Sequence, residues 1–158
     1  MAQPPRSTSL LRDRMKNKSV YWSIQIEIQH TAAKAWLQSL QGEKEQALKT
    51  MQSAVEMEAS TYKHPITPGQ VISARELLGD LLIEIGKPEK AFAEYQSSLE
   101  KTPNRFNSLY GAGQAAEVIK NKKEAVFYYK KLLALASNSN SKRAAFEHAK
   151  AFVSLSEK

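Results

Sequence analysis

A repeat of 34 residues constrains this chain more than any other feature of its sequence. Residues 72–105 align with residues 106–139, and three of the identical pairs characterise the repeat. These are Gly79 with Gly113, Ala91 with Ala125, and Tyr95 with Tyr129. A period of about 20–50 residues is typical of proteins that stack one supersecondary unit on the next. Because such a unit cannot bury its apolar face alone, the repeat predicts a stack of neighbouring units.

A weaker copy of the repeat lies upstream, over about 19–61. Ala35 aligns there with Gly79, at an offset of 44 residues. This offset is one period plus a ten-residue insertion around 62–71, where prolines and a glycine predict a loop. We therefore expect three repeats, at about 19–61, 72–105 and 106–139.

Within each unit the residue types predict two helices joined by a tight turn. The aligned glycines and alanines are small where two helices would cross closely, and the aligned tyrosines are large where a neighbouring unit would pack. Gly42 and Gly86 follow apolar-periodic segments, as expected of residues that end a helix in a left-handed conformation. In the third unit Lys120-Asn121 replaces this glycine. We assign that turn to Asn121, because asparagine tolerates the conformation next best.

The signature of the tetratricopeptide repeat (TPR) family is carried by two strings, ELLGDLLIEIGKPEKAFAEYQSSLEKTPN and SLYGAGQAAEVIKNKKEAVFYYKKLLAL. The chain resembles this family over residues 72–137 and less closely over about 20–61, where Thr31 and Lys34 replace large apolar residues of the family pattern. The string KHPITPG…ARELLGD…PNRF also resembles the C-terminal part of bacterial multi-repeat TPR proteins. The resemblance implies an all-α fold, a right-handed α-solenoid of antiparallel helix pairs, and a protein-binding role.

The apolar spacing and the turn residues predict seven helices and no strand. The expected helices span about 19–41, 44–59, 71–85, 88–101, 105–120, 122–136 and 141–156. The last is a capping helix, charged on its outer face as the end of a stack requires. Residues 1–17 are expected to form a disordered basic tail, and 18–158 a single TPR-like domain. Four aromatic residues stand at helical spacing and are expected to be buried between layers, namely Trp22, Trp36, Phe127 and Tyr128.

The net charge of +7 is concentrated at the two ends of the chain. Residues 1–19 carry +4, residues 20–119 carry −3, and residues 120–158 carry +6. Basic ends suit contact with nucleic acid or an anionic membrane, and they also suit solvated helix faces. No run approaches the roughly 18 apolar residues of a membrane span. The N-terminus lacks the apolar centre of a secretory signal, so we expect a cytoplasmic protein.

Catalysis and metal binding have little support in the residue types. The chain has no cysteine, which removes disulfides, thiol nucleophiles and thiolate metal sites. Its three histidines, His30, His64 and His148, stand far apart and without metal-binding spacing. We expect no catalytic, cofactor or metal site, and a binding protein rather than an enzyme.

The resemblance to TPR proteins implies a concave groove lined by the first helix of each pair. The positions that face this groove in the family fall here on Trp36, Glu76, Asp80, Glu84, Asn107, Tyr110, Gln114 and Glu117. Their aromatic rings and carboxylates predict a site for a partner protein or peptide that carries Lys or Arg. The structural alternative is that these carboxylates are solvated or paired with cations such as Arg75.

Two other functions are compatible with the sequence. A nucleic-acid-associated repeat protein would use the cations Lys120, Lys122, Lys123, Lys130, Lys131, Lys142 and Arg143, with Phe127 and Tyr128 stacking on bases. A structural module would self-associate through an uncapped end of the stack to form a homo-oligomer.

Overall fold

The computed structural model describes residues 6–61, 72–135 and 143–156, with side chains from Tyr21 onward. These ranges contain seven helices and no strand, so the predicted all-α repeat fold is confirmed. The helices are α1 (Arg6–Leu40), α2 (Lys44–Ser60), α3 (Ala74–Glu84), α4 (Pro88–Lys101), α5 (Phe106–Val118), α6 (Lys122–Leu135) and α7 (Ala144–Ser156). From α2 onward every boundary lies within three residues of the predicted one.

Helix α1 begins at Arg6, well before the predicted start near residue 19. Residues 6–17 are therefore helical where a disordered tail was expected, because they contain good helix formers and neither glycine nor proline. Extending a helix that is already packed costs far less than nucleating one. Residues 1–5, the predicted insertion loop 62–71 and residues 136–142 lie outside the described residues. No helix in the described part is long and apolar enough to cross a membrane.

The helices form two layers. The short turns make α1 and α2, α3 and α4, and α5 and α6 antiparallel pairs, and α7 packs on the last pair. Consecutive first helices (α1, α3, α5, α7) also contact one another. In the described part no two second helices (α2, α4, α6) approach within 8 Å between Cα atoms. The first helices therefore line the concave face of the stack, and the second helices form its convex back.

The turns within the three units share one left-handed position. Gly42 and Gly86 adopt φ angles of 86° and 79°, as predicted. In the third unit the left-handed residue is Lys120, with φ 61°, and the assignment to Asn121 was wrong. Lys120 stands one 34-residue period after Gly86, so the repeat register outweighs residue preference. Asn121 instead lies just before α6, where its Oδ1 accepts a hydrogen bond from the backbone N–H of Glu124 at 3.3 Å.

Lys120→Gly is expected to raise the free energy of unfolding by about 0.5–1 kcal/mol. A side chain in the left-handed region costs about 1–2 kcal/mol, and the flexibility of glycine in the unfolded chain offsets part of that gain. The reciprocal change, Gly86→Lys, should lower stability by a similar amount. Urea unfolding of both variants checks the pair. A lower midpoint for Lys120→Gly would contradict the strain at this turn.

One continuous apolar core runs through the stack, from Ile28 of α1 to Val153 of α7. Burial of the predicted aromatics is mixed. Tyr128 is buried and Trp36 packs half-buried against the core, whereas Trp22 and Phe127 are 44% and 47% exposed. The prediction of burial was wrong for these two, because helical spacing does not show on which side a neighbouring helix lies.

Candidate functional site

The predicted groove residues all lie on first helices, but the structure uses them in different ways. Trp36 is on α1, three are on α3 and four are on α5. Asp80, Glu84 and Asn107 are exposed, while Tyr110, Gln114, Glu117 and Trp36 are half-buried. Glu76 alone among them is buried, with 1% of its surface exposed. The concave face therefore presents seven of the eight residues to solvent in whole or in part.

Glu76 holds the second and third units together. Its Oε2 pairs with Arg105 Nη2 at 2.5 Å, and its Oε1 accepts a hydrogen bond from Ser108 Oγ at 2.5 Å. The same carboxylate accepts from the backbone N–H of Ser73 at 3.4 Å, closing a capping box at the start of α3. Glu76 is thus a structural residue. Of the three α3 carboxylates predicted to face the groove, only Asp80 and Glu84 are exposed there.

The surroundings of Glu76 make stability depend on pH. Burial raises the pKa of Glu76, but hydrogen bonds from Arg105 and Ser108 lower it by more than burial raises it. The pKa therefore lies below its ordinary 4.5. A carboxyl with a pKa lower in the folded than in the unfolded chain stabilises the fold above the unfolded value. That contribution is lost as pH falls through the folded value.

We therefore expect the free energy of unfolding to decline below about pH 4.5, and Glu76→Gln to decline less steeply over the same range. Urea unfolding between neutral pH and pH 3 measures both slopes. Equal slopes for the two proteins would contradict the role of Glu76.

Two groove carboxylates are each held by a tyrosine from the second helix behind them. Tyr95 Oη donates to Asp80 Oδ1 at 2.5 Å, and Tyr129 Oη donates to Glu117 Oε2 at 2.9 Å. Burial and the adjacent carboxylate raise the pKa of both tyrosines, so the hydroxyls remain donors. The sequence predicted these tyrosines only as packing residues. Their shared position in the repeat was the one sign that both could have the same second role. They also orient the carboxylates on the concave face.

Each oriented carboxylate keeps one oxygen available. Among the described residues, Asp80 Oδ2 and Glu117 Oε1 have no hydrogen-bond donor. Partial desolvation and the charge of Glu76 raise the pKa of Asp80, although the bond from Tyr95 opposes the shift. A cation placed beside Asp80 would therefore stabilise its charged form.

Helices α3 and α5 supply almost no positive charge to this face. Their single cation is Arg75, whose Nη1 bonds Glu94 Oε2 of α4 at 2.6 Å. Arg105, just before α5, pairs with Glu76. The concave surface of the second and third units is therefore acidic in a chain whose net charge is +7.

The capping helix adds an aromatic end to the groove. The ring of Tyr110 lies 6.0 Å from the ring of Tyr129 and 6.0 Å from that of His148 on α7. His148 Nε2 lies 3.6 Å from Glu117 Oε2. Sequence reasoning gave His148 no role, because its neighbours belong to another unit of the stack.

The basic residues proposed for nucleic-acid binding lie elsewhere. Lys123, Lys130 and Lys131 are exposed on α6, a second helix on the convex side. Lys131 Nζ lies 4.4 Å from the centre of the Phe127 ring. One face of that ring is therefore occupied by a cation rather than open for stacking. In the described part of the chain no three His, Asp or Glu side chains gather to hold a metal.

This architecture, helix pairs stacked so that first helices line one curved face, defines an α-solenoid, a class of helical-repeat proteins. The family model of the tetratricopeptide repeat matches residues 106–139, the third unit. The first two units share the architecture of this third unit, so the stack as a whole has the fold of a tetratricopeptide repeat solenoid. No curated protein matches its sequence.

Solved structures with the same architecture include PcrH from Pseudomonas aeruginosa. It is 17% identical, with a TM-score of 0.64 over 83% of this chain and 92% of that one. PcrH in complex with the chaperone binding region of PopD is 16% identical, with a TM-score of 0.64 over 84% and 92%. A tetratricopeptide repeat protein from Parabacteroides merdae ATCC 43184 is 19% identical, with a TM-score of 0.60 over 96% of this chain and 57% of that one. At these identities the likeness concerns the fold.

Proposed function

We propose that this chain is a protein-interaction scaffold whose concave face binds a segment of a partner protein. The observation that carries the proposal is the pair of oriented, partly unpaired carboxylates on consecutive first helices, Asp80 and Glu117. Structures of PcrH, which has this fold, contain the chaperone binding regions of PopB and PopD. A segment lying along the groove would cross α3 and α5 in turn and meet both carboxylates.

The chemistry of the groove favours a partner segment that carries Lys or Arg. A cationic side chain can donate to the open oxygens of Asp80 and Glu117, and such charge-assisted bonds are the strong ones. Exposed Glu84 adds a third negative charge on α3. Half-buried Tyr110 offers its ring to the aliphatic stem of a lysine or arginine.

The same charges disfavour nucleic acid in the groove, because carboxylates repel phosphates. A nucleic-acid ligand would instead have to use the convex α6 surface. The proposal assigns binding rather than catalysis, because two of the groove carboxylates, Asp80 and Glu117, serve as acceptors for tyrosine hydroxyls.

The test compares basic and acidic peptide pools on the wild type and on Asp80→Asn/Glu84→Gln. We expect the wild type to bind the basic pool, and the double variant to bind it about tenfold more weakly, a loss of about 1.4 kcal/mol. The matched control is Glu89→Gln/Glu100→Gln, which removes two exposed carboxylates from α4. It should bind like the wild type.

Equal binding of the two pools, or an equal loss in the control, would refute the groove proposal. Binding of an oligonucleotide that Lys123→Glu abolishes would point to the convex surface instead. Because exposed ion pairs are screened by salt, all arms use one ionic strength.

A further inference from the structure

Helix α1 carries a mainly apolar stripe that the rest of the described structure leaves largely exposed; within it, Trp36 packs partly against the core and Gln29 Nε2 donates to the backbone oxygen of Ile72 at 3.4 Å. Trp22, Ile26, Leu37 and Leu40 are 44%, 68%, 56% and 84% exposed. Single exposed apolar side chains are ordinary, but a contiguous set on one helix marks an interaction surface. The full α1 stripe consists of Trp22, Ile26, Gln29, Ala33, Trp36, Leu37 and Leu40.

The spacing of the α1 stripe is that of a helix-pairing seam. Residues 22, 26, 29, 33, 36 and 40 alternate steps of four and three, which keeps them on one side of a helix over about 27 Å. Leu37 flanks this line. No member of the α1 stripe is charged. The surface therefore suits a second helix lying alongside α1.

The α1 stripe has a similar succession of large and small side chains from either end. Reversal about Thr31 sets Trp22 opposite Leu40, Ile26 opposite Trp36, and Gln29 opposite Ala33. Large apolar residues thus face large ones toward the ends, and a longer side chain faces a small one at the centre. A two-fold interface requires this kind of self-complementarity, in which residue i meets j and j meets i. A foreign helix would not require it.

The exposed end of the stack offers a poorer surface for self-association. The shallow cavity between α1 and α2, of about 350 Å³, is lined by polar and charged residues that include Glu27, His30, Lys34 and Lys49. Packing another stack against these groups would desolvate charges without partners. Self-association is therefore better placed on the α1 stripe than on the stack end.

We propose that the α1 stripe binds a second copy of this chain, with the two α1 helices antiparallel about a two-fold axis that crosses the stripe midway between Gln29 and Ala33. This inference is independent of the proposed function. It assigns Trp36 to the interface between copies, and it leaves the carboxylates of α3 and α5 to the partner segment. The copies would form a dimer that displays two grooves.

Sedimentation velocity over a concentration series tests the pairing. We expect the wild type to reach twice the mass of one chain, and Ile26→Glu to weaken association about tenfold or more. The matched control is His30→Glu, which places the same residue on the polar flank of the same helix and should associate like the wild type. Circular dichroism and thermal melts show that each variant is folded. A wild type that is monomeric throughout, or an Ile26→Glu that still dimerises, would overturn the proposal.

Cysteine cross-linking tests the orientation, and the chain has no cysteine of its own. Antiparallel pairing places residue 22 of one copy beside residue 40 of the other, with like residues about 27 Å apart. Mixing Trp22→Cys with Leu40→Cys under oxidation should therefore give the mixed disulfide dimer, and either variant alone should give little. Dimers formed equally well by each variant alone would mean parallel pairing and would refute the proposed two-fold axis.

Discussion

Arg105→Ala is expected to lower the free energy of unfolding by about 3–5 kcal/mol, because it leaves a buried carboxylate without its cation. Glu76 is 1% exposed and pairs with Arg105 at 2.5 Å. Chemical denaturation in urea at neutral pH measures the loss.

The matched control is Arg75→Ala, which breaks a pair of similar length between residues that are partly exposed. Arg75 Nη1 lies 2.6 Å from Glu94 Oε2, with the two side chains 24% and 27% exposed. Pairs open to solvent contribute about 0–1 kcal/mol, so this variant should lose at most that amount. Adding Glu76→Gln to Arg105→Ala should recover part of the loss, since the neutral amide costs less to bury. Equal losses for the two arginine variants would contradict the buried pair.

Gly113→Ala is expected to lower the free energy of unfolding by about 1–3 kcal/mol, although alanine is the better helix former. The gain in helix propensity is about 1 kcal/mol. Against it, a Cβ at Gly113 would overlap the ring of Tyr129, which is fully buried and hydrogen-bonded to Glu117. The ring cannot retreat, so overpacking outweighs the propensity gain. Thermal and urea unfolding measure the net effect.

A double-mutant cycle separates this overlap from other costs. Tyr129→Leu should make Gly113→Ala less costly, because the two changes act on one contact. The control is Gly42→Ala, where a Cβ meets nothing within 4 Å and only the φ of 86° causes strain. Its cost should be the same in the wild type and in the Tyr129→Leu background. A Gly113→Ala variant more stable than the wild type would show that the helices do not cross tightly there.

The helices were predictable because their signals are local or periodic. The 34-residue repeat, the glycines of the first two turns and Pro88 at the start of α4 locate six of the seven helices closely. The preference of single residues for the left-handed conformation favours Asn121 at the third turn. The repeat register places Lys120 there instead, 34 residues after Gly86. The early start of α1 was not predicted, because a basic N-terminal segment is also typical of a disordered tail.

The groove was predictable only in part. A residue's position in the repeat shows which side of a helix it occupies, but it does not show which side chains the next unit places beside it. Glu76 meets Arg105 and Ser108 from 29 and 32 residues away, across the boundary between units. The hydroxyls of Tyr95 and Tyr129 reach Asp80 and Glu117 past the glycines of the first helices, a geometry that appears only once the layers are stacked.

The central claim is that the concave face binds the partner segment, and NMR of the labelled protein with a bound basic peptide tests it most directly. Chemical-shift changes should cluster on Asp80, Glu84 and Gln114 of the first helices, and leave the exposed residues of α4 and α6 unchanged. Changes centred on the convex surface around Lys123 and Phe127, with α3 and α5 unaffected, would contradict the claim.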